Sequence, residues 1–347
     1  MKKIIAILLA LCLLPIHAIA ETDTETAMDN DWVTFLLICN EGMNNDKGNA
    51  GNTLMVAAMN PTRGQIRLMM FTWDTFIDYP GYDVPQKLDM PYRNNGPEES
   101  MKVFNHNFGL NIDHYLSLNY LNLASLIDEY GGITTDITPA ERDALNGMVG
   151  SKKIRLQEEV AAGQLSQTVI DMLAQEYYLN DFGPKTKLNG LQAVGYGWLQ
   201  YDSVYNCCER DARVVSGLFH STANFMTDKI ALYTDANGMP EDTFGRRAIN
   251  IDNMPEEDYA FIRELIAPIF EMSDNNMEED EIKAITLSLA RIAFQAEREG
   301  TDIMDLLRTT VLPLEATKPY DTVAGQQGHL VDKEKNIEAI NEFLYSD

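Results

Sequence analysis

Ile66-Arg67-Leu68-Met69-Met70-Phe71-Thr72-Trp73-Asp74-Thr75 is an apolar strand that ends on a polar tetrapeptide. Immediately upstream, Asn60-Pro61-Thr62-Arg63-Gly64 has turn composition and follows a second strand, Thr53 to Met59. Two strands joined by so short a turn form an antiparallel pair. Further upstream, Trp32 to Cys39 is β-branched and apolar on both faces, the pattern of a strand covered on both sides. Asn40 to Asn52, rich in Asn, Gly and Asp, reads as a loop.

Downstream, residues 76–99 read as a long loop punctuated by Pro80-Gly81, Pro85, Pro91 and Gly96-Pro97, a length that tends to carry function. Glu98 to Phe108 predicts a helix, Tyr115 to Leu118 a strand, Leu121 to Tyr130 a helix closed by Gly131-Gly132, and Ile133 to Ile137 a strand. Residues 140–185 read as helical and polar. A short helix follows through Leu199, then a loop at 201–208, then a helix from Glu209 to Met226. From 254 to 312 the expectation is helical throughout, as Tyr259–Met272, Glu279–Glu297 and Asp302–Leu312. Gly328 to Val331 is strand-like and Glu334–Tyr345 is a final helix. The fold class is α/β, a mixed central sheet flanked by helices. No Pro/Gly/Ser linker precedes residue 254, so residues 31–347 read as one domain, with a core at 31–226, a helical addition at 254–312 and a closing strand and helix at 328–345.

The N-terminus has the pattern of an export signal. Lys2 and Lys3 precede an apolar run from Ile4 to Ile16, and Ala18-Ile19-Ala20 fits a cleavage site. That run is shorter than the roughly 20 residues of a membrane span, so the expectation is an exported, extracytoplasmic chain, peripheral to the membrane, with a disordered acidic start at 21–30. The 347 residues carry a net charge of −26, which repels nucleic acid and anionic headgroups. Cys39 could bridge Cys207 or Cys208 in an oxidising compartment, or all three could be buried thiols. The histidines form no metal-binding spacing, and no nucleotide-binding or serine-hydrolase fingerprint is present.

Several segments in order carry a family likeness: Asn52-Thr53-Leu54-Met55-Val56, Trp73-Asp74-Thr75, Tyr79-Pro80-Gly81-Tyr82, Lys87-Leu88-Asp89, Leu126-Ile127-Asp128-Glu129-Tyr130-Gly131-Gly132, Leu188-Asn189-Gly190 and Arg210-Asp211-Ala212-Arg213. On these the chain resembles the LytR-CpsA-Psr family of cell-envelope phosphotransferases. The resemblance implies a three-layer α/β/α domain that transfers a glycopolymer phosphate from a polyprenyl-pyrophosphate carrier to peptidoglycan. It implies arginines on the pyrophosphate, aspartates on Mg²⁺ and an apolar cavity for the polyprenyl tail; arginine forks and a hard cation suit that charge.

By the same resemblance, Asp74, Arg210 and Arg213 are the catalytic candidates and Lys87 a phosphate contact, with Asp74 and Asn52 as metal positions. The chain departs from the family pattern at Ala50, Trp73, Trp198 and Gln200, where arginines are expected, and at Asn52, where an aspartate is expected. Trp73, Trp198 and Gln200 then line the substrate side, and the tryptophans could stack on a sugar ring. Losing one oxyanion donor costs roughly 10²–10³ in rate. The expectation is an envelope protein that binds a glycopolymer or a polyprenyl-linked intermediate with weak or no transfer activity. The alternative is an active phosphotransferase or pyrophosphatase. Each retained residue also has a plainer reading: Asp74 as a turn cap, Arg210 and Arg213 as partners of acids, Lys87 as a loop lysine.

Overall fold

The computed structural model describes residues 32–40, 51–161, 176–238, 254–314, 320–323 and 325–346. The expected leader at 1–20, the expected disordered start at 21–30 and Ala50 lie outside the described residues.

The first half of the chain forms β1 (Val33–Asn40), β2 (Gly51–Asn60), β3 (Gln65–Phe71), β4 (Thr75–Ile77), β5 (Gln86–Lys87), α1 (Met90–Asn95), α2 (Pro97–Phe108), β6 (His114–Asn119), α3 (Tyr120–Glu129), β7 (Ile133–Ile137) and α4 (Pro139–Ala161). The second half forms β8 (Gly183–Leu188), α5 (Gly190–Gly197), α6 (Val204–Ala236), α7 (Glu256–Glu271), β9 (Asp274–Asn275), α8 (Glu279–Glu299), β10 (Leu307–Leu312), β11 (Tyr320–Val323), β12 (Gln326–Leu330) and α9 (Lys333–Tyr345).

The central sheet has the order β10-β3-β2-β1-β6-β9. The β1–β2 and β2–β3 pairs are antiparallel, with Val56 opposite both Leu36 and Met69, while β6 joins β1 and β10 joins β3 in parallel. The sheet is therefore mixed. Every residue of β2 from Thr53 to Asn60 is buried, so both faces need a covering layer. On one face Leu36, Leu54, Val56 and Phe71 pack against α2 and α9; the Phe71 ring lies 4.9 Å from Phe104 and 4.6 Å from Phe108. On the other face Phe35, Met55, Leu68 and Met70 pack against α6, α7 and α8. Full burial of a side chain of this size stabilises by roughly 1.5–3 kcal/mol.

A charge is buried in the first layer. Arg67 is 2% exposed, and its guanidinium donates to the carbonyls of Phe343 (3.3 Å) and Ser346 (3.0 Å) at the end of α9. The last carbonyls of a helix lack intrahelical partners and carry its negative end, so the cation satisfies both needs.

A smaller antiparallel pair, β7 against β8, closes a third apolar cluster with α3, α5 and Val214 of α6. Two of the sequence motifs meet here: Gly190 N–H donates to the Asp128 carboxylate (2.7 Å), and Asn189 and Gln192 form a reciprocal cap at the start of α5. Gly190 is packed so closely on α3 that a β-carbon would overlap the Ala124 carbonyl.

Four expectations are corrected. Asp302–Leu312 is not a helix: after a 3₁₀ turn at Ile303–Leu306, Leu307-Arg308-Thr309-Thr310-Val311-Leu312 forms β10. Its β-branched residues suit a strand, and the open edge of β3 supplies the ladder. The helical addition therefore ends at α8. Residues 76–99 are not one loop but contain β5 and α1, the latter opening with Met90-Pro91, where proline costs no hydrogen bond. The stretch 140–185 contains β8, paired to β7. Residues 201–208 include the first turn of α6, because Ser203 caps it by accepting from Asn206 N–H. Cys39, Cys207 and Cys208 are free buried thiols, one of the two readings of the sequence.

Gly190→Ala forces α3 and α5 apart. Urea denaturation should show a loss of about 3 kcal/mol, and a variant as stable as the parent would contradict the close approach.

Candidate functional site

Just past β3 the chain turns tightly. Thr72 N–H donates to the Leu312 carbonyl (3.0 Å), Thr75 N–H to the Thr72 carbonyl (3.1 Å), and the two threonine hydroxyls lie 2.7 Å apart. The turn lifts Trp73 to the surface, 40% exposed, and tucks Asp74 inside at 8%. Asp74 Oδ1 lies 3.0 Å from His329 Nδ1 on β12, and the Asp74 carbonyl accepts from His329 N–H (3.2 Å). Lys87 Nζ donates to that same carbonyl (2.9 Å) and to the Gln327 carbonyl (2.6 Å), and sits 4.3 Å from the Phe76 ring centre. Burial lowers the Lys87 pKa, against the opposing charges of Asp74 and Asp89. Gly328 completes the junction, since a β-carbon there would overlap the Asp74 carbonyl. Asp74 and Lys87 are thus brought together, as parts of the seam joining β4, β5 and β12.

The two arginines lie on α6. Arg210 is 2% exposed. Its fork meets Asp202 with both nitrogens, at 2.9 and 2.7 Å, donates to the Leu199 carbonyl, and stacks 5.1 Å from the Tyr201 ring centre. Burial disfavours this charge, yet the hydrogen bonds and charge of Asp202 outweigh it and hold the Arg210 pKa above its ordinary value. The Arg210 bond in turn holds the Asp202 carboxyl below its usual range. Arg213 is half-exposed and donates to the Tyr196 hydroxyl (2.8 Å) and to Glu141 Oε1 (3.4 Å), with Glu209 at 3.8 Å. The Tyr196 phenol is pushed up to about 12, chiefly by burial.

Glu141 and Asp202 were not among the sequence candidates. Glu141 is 5% exposed and also caps α4, accepting from Thr138 N–H and Oγ1 at 2.8 Å each. The pattern Thr138-Pro139-Ala140-Glu141 is a capping box and marks that carboxylate in the sequence. Asp202, lying between two helices, has no comparable signal.

The remaining candidates fall on either side. Trp198 ends α5, packs 5.5 Å from the Tyr120 ring and faces inward, whereas Gln200 is exposed. Asn52 lies at the start of β2, where the backbone alone is described. Among the described residues no group of three or more His, Cys, Asp or Glu side chains gathers as for a metal ion.

Beneath Trp198 an apolar cavity of about 150 Å³ lies between the second face of the sheet and α6, with α8 and α3 at its sides. Aliphatic and aromatic side chains make up most of its wall, among them Leu37, Leu116, Val215, Phe219 and Ile292. One acid lines it. Asp211 is 7% exposed, accepts from Thr53 Oγ1 (2.9 Å), and has its pKa raised to about 7 by burial, against the pull of Thr53 and Arg210. Burial and then Asp211 push the Cys39 thiol well up, and the Cys208 thiol likewise.

A sequence model described as the LytR_cpsA_psr family matches residues 16–230, more than half of the chain. The chain belongs to that family. It is 26% identical over 170 residues to the polyisoprenyl-teichoic acid–peptidoglycan teichoic acid transferase TagU of Enterococcus faecalis, covering 48% of this chain and 45% of that one. It is 31% identical over 90 residues to the probable cell wall biosynthesis protein LcpB of Corynebacterium glutamicum, covering 26% and 21%. The chain thus spans less than half the length of these relatives. Among solved structures it resembles TagV of Bacillus subtilis (TM-score 0.57, 14% identity, 91% and 97% covered) and TagT bound to LIIa-WTA (0.56, 13%, 94% and 94%), a likeness of fold. Among the described residues no helix is long and apolar enough to cross a membrane.

The Asp211 carboxyl titrates near 7 in the fold and near 4 in the unfolded chain. Between those values the native state holds the extra proton, so stability falls as the pH rises through that window. Asp211→Asn removes the effect: from pH 5 to pH 8 the parent should lose about 3 kcal/mol relative to the variant in urea denaturation. Parallel pH curves would contradict the burial of this acid.

Proposed function

We propose that this is an extracytoplasmic cell-envelope protein that holds the polyprenyl chain of a lipid-linked intermediate in its cavity and transfers phosphate weakly or not at all. The observation that carries this reading is that the cations at the family's phosphate positions are already engaged. Arg210 is held by both oxygens of Asp202, Arg213 faces Glu141 and Glu209, and Lys87 is bound by two carbonyls. The cavity on the sheet side of α6 has an apolar wall. A diphosphate needs several free donors at once, and drawing the buried Arg210 guanidinium away from both Asp202 oxygens leaves its charge without that partner.

Magnesium does not fit the donors at hand. Asp74 Oδ1 is engaged by His329, and Asn52 brings no charge to favour a divalent ion. The relatives named as teichoic acid transferases support an envelope substrate and argue for a second reading, residual transferase activity. Arg213 favours that reading, because its side chain is 45% exposed and could meet an anion from solution.

Incubation with a prenyl-diphosphate-linked saccharide and Mg²⁺, followed by release of prenyl phosphate, separates the two. Turnover should stay at least about 10³-fold below that of an arginine-complete family member, with Asp74→Ala no different from the parent. Turnover within tenfold of that relative, abolished by Asp74→Ala, would establish the transferase instead.

A further inference from the structure

A second cleft, of about 860 Å³, lies on the opposite face of α6 from the apolar cavity. Asp211, Val214 and Leu218 face the cavity, whereas Tyr205, Glu209, Ser216 and His220 floor the cleft, and no residue lines both. From Tyr205 to His220 the floor runs about 22 Å at the helical rise, the length of about six extended residues. β10 and β7 bound it, each with two neighbours in sequence: Thr309 with Thr310, and Thr134 with Thr135. Successive side chains leave a strand on opposite faces, so a space touched by both neighbours runs along the strand's edge. β10 is the edge of the central sheet, with β3 as its partner, and β7 pairs with β8. Ser221 Oγ donates to the Gly132 carbonyl just before β7 (2.7 Å), which ties that strand to α6. Edge strands are commonly defended by proline, a bulge or charge. β10 has no proline and no bulge between Leu307 and Leu312, and its one charge, Arg308, donates to Ser346 Oγ (3.3 Å).

Backbone and charge together define what fits. An open edge presents a regular row of N–H and C=O groups. A glycan would meet the threonine hydroxyls but leave that row to water, whereas an extended polypeptide carries matching groups at the same spacing. Four charged side chains line the cleft, and one of them, Arg213, is already met by Glu141 and Glu209. That leaves Lys185 and Asp302, in a chain whose net charge is −26. Asp302 is exposed beside His220, with Oδ1 accepting from Met304 N–H (3.0 Å). The overall field draws a cationic partner, and Asp302 offers it a carboxylate. Among the described residues Lys185 is the one non-glycine in the left-handed region (φ 57°), held there by the Asp136 carboxylate, which accepts from its N–H (2.9 Å). Strain of this kind gathers at binding sites.

We propose that this cleft takes an extended, cationic segment of another polypeptide, which adds as a strand to the free edge of β10. Thr134 and Thr309 flank it, and Asp302 meets one of its basic side chains. The inference goes beyond the lipid-binding role and does not rest on it, because the cavity is on the other face of α6.

The test uses the full chain and a capped peptide of alternating threonine and lysine, about seven residues long to match the floor. Binding is followed by fluorescence anisotropy and by amide hydrogen exchange. The peptide should bind below about 1 mM and slow exchange within Leu307–Leu312. Methylating one alternate set of its backbone nitrogens should weaken it at least about tenfold, the size of one hydrogen bond. Glutamate in place of lysine should weaken it as well, and Asp302→Asn, which keeps the cap on Met304, should weaken the lysine peptide about threefold. Thr309→Pro should abolish binding; if that variant fails to fold, the methylated peptides make the same comparison on the parent. Affinity unchanged by methylation of either set overturns strand addition. A glutamate peptide that binds better overturns the charge assignment. Protection of β10 by chitotetraose instead of the peptide overturns the class of ligand, and protection on self-association alone makes the partner a second copy. No binding and no change in exchange at about 1 mM overturns the inference outright.

Discussion

Burial of β2 on both faces constrains everything else in the molecule. Its residues from Thr53 to Asn60 are all buried, with alternate side chains in two different layers. A strand of this kind is stable only when helices cover both sides. One cover is α2 with α9; the other is α6 with α7 and α8. The second cover is looser near Asp211, and the cavity is the space that remains there. The arginines are on the same helix that forms this wall, so their setting follows from how α6 is laid across the sheet.

Overall charge acts on that helix. The chain has 27 lysines and arginines against 53 aspartates and glutamates, so a cation near the surface finds acids readily. Arg210 and Arg213 are one turn apart and share a face, yet each is turned toward its own carboxylates, Asp202 for one and Glu141 with Glu209 for the other. The bidentate Asp202 contact is the strong geometry for such a pair. The same arginines that align with the family motif therefore act in this fold as ties between α6, the 199–202 segment and α4.

Much of the fold could be read before any coordinates. β1, β2, β3, α2, α3 and α5 each combine a clear hydrophobic period with a turn or cap, and they fall within a few residues of their expected positions. Among the misread elements β5, α1, β8 and β10, the last turned an expected helix into a strand of the central sheet. Leu307–Leu312 follows two helices and has no turn signal other than Gly300-Thr301, and its strand character depends on an edge 241 residues earlier in the chain. At the site, residue types and helical spacing located Arg210 and Arg213, but not their partners. Asp202 lies in a connecting segment where no period applies. Asp211 had a usable signal: it lies three residues before Val214 and seven before Leu218, on the apolar stripe of α6, where an acid is out of place.

The grip of Arg67 on the end of α9 bears on how the polypeptide comes together. Its partners lie 276 and 279 residues further along the chain. Until α9 is made, the Arg67 guanidinium has the neighbouring Ile66 carbonyl but not those of Phe343 and Ser346, and Ile340 and Leu344 are missing from the first layer. Closing so long a loop is entropically unfavourable and slow. The first face is therefore covered by α2 alone until α9 docks beside it, and β3 carries a buried cation short of two acceptors until then.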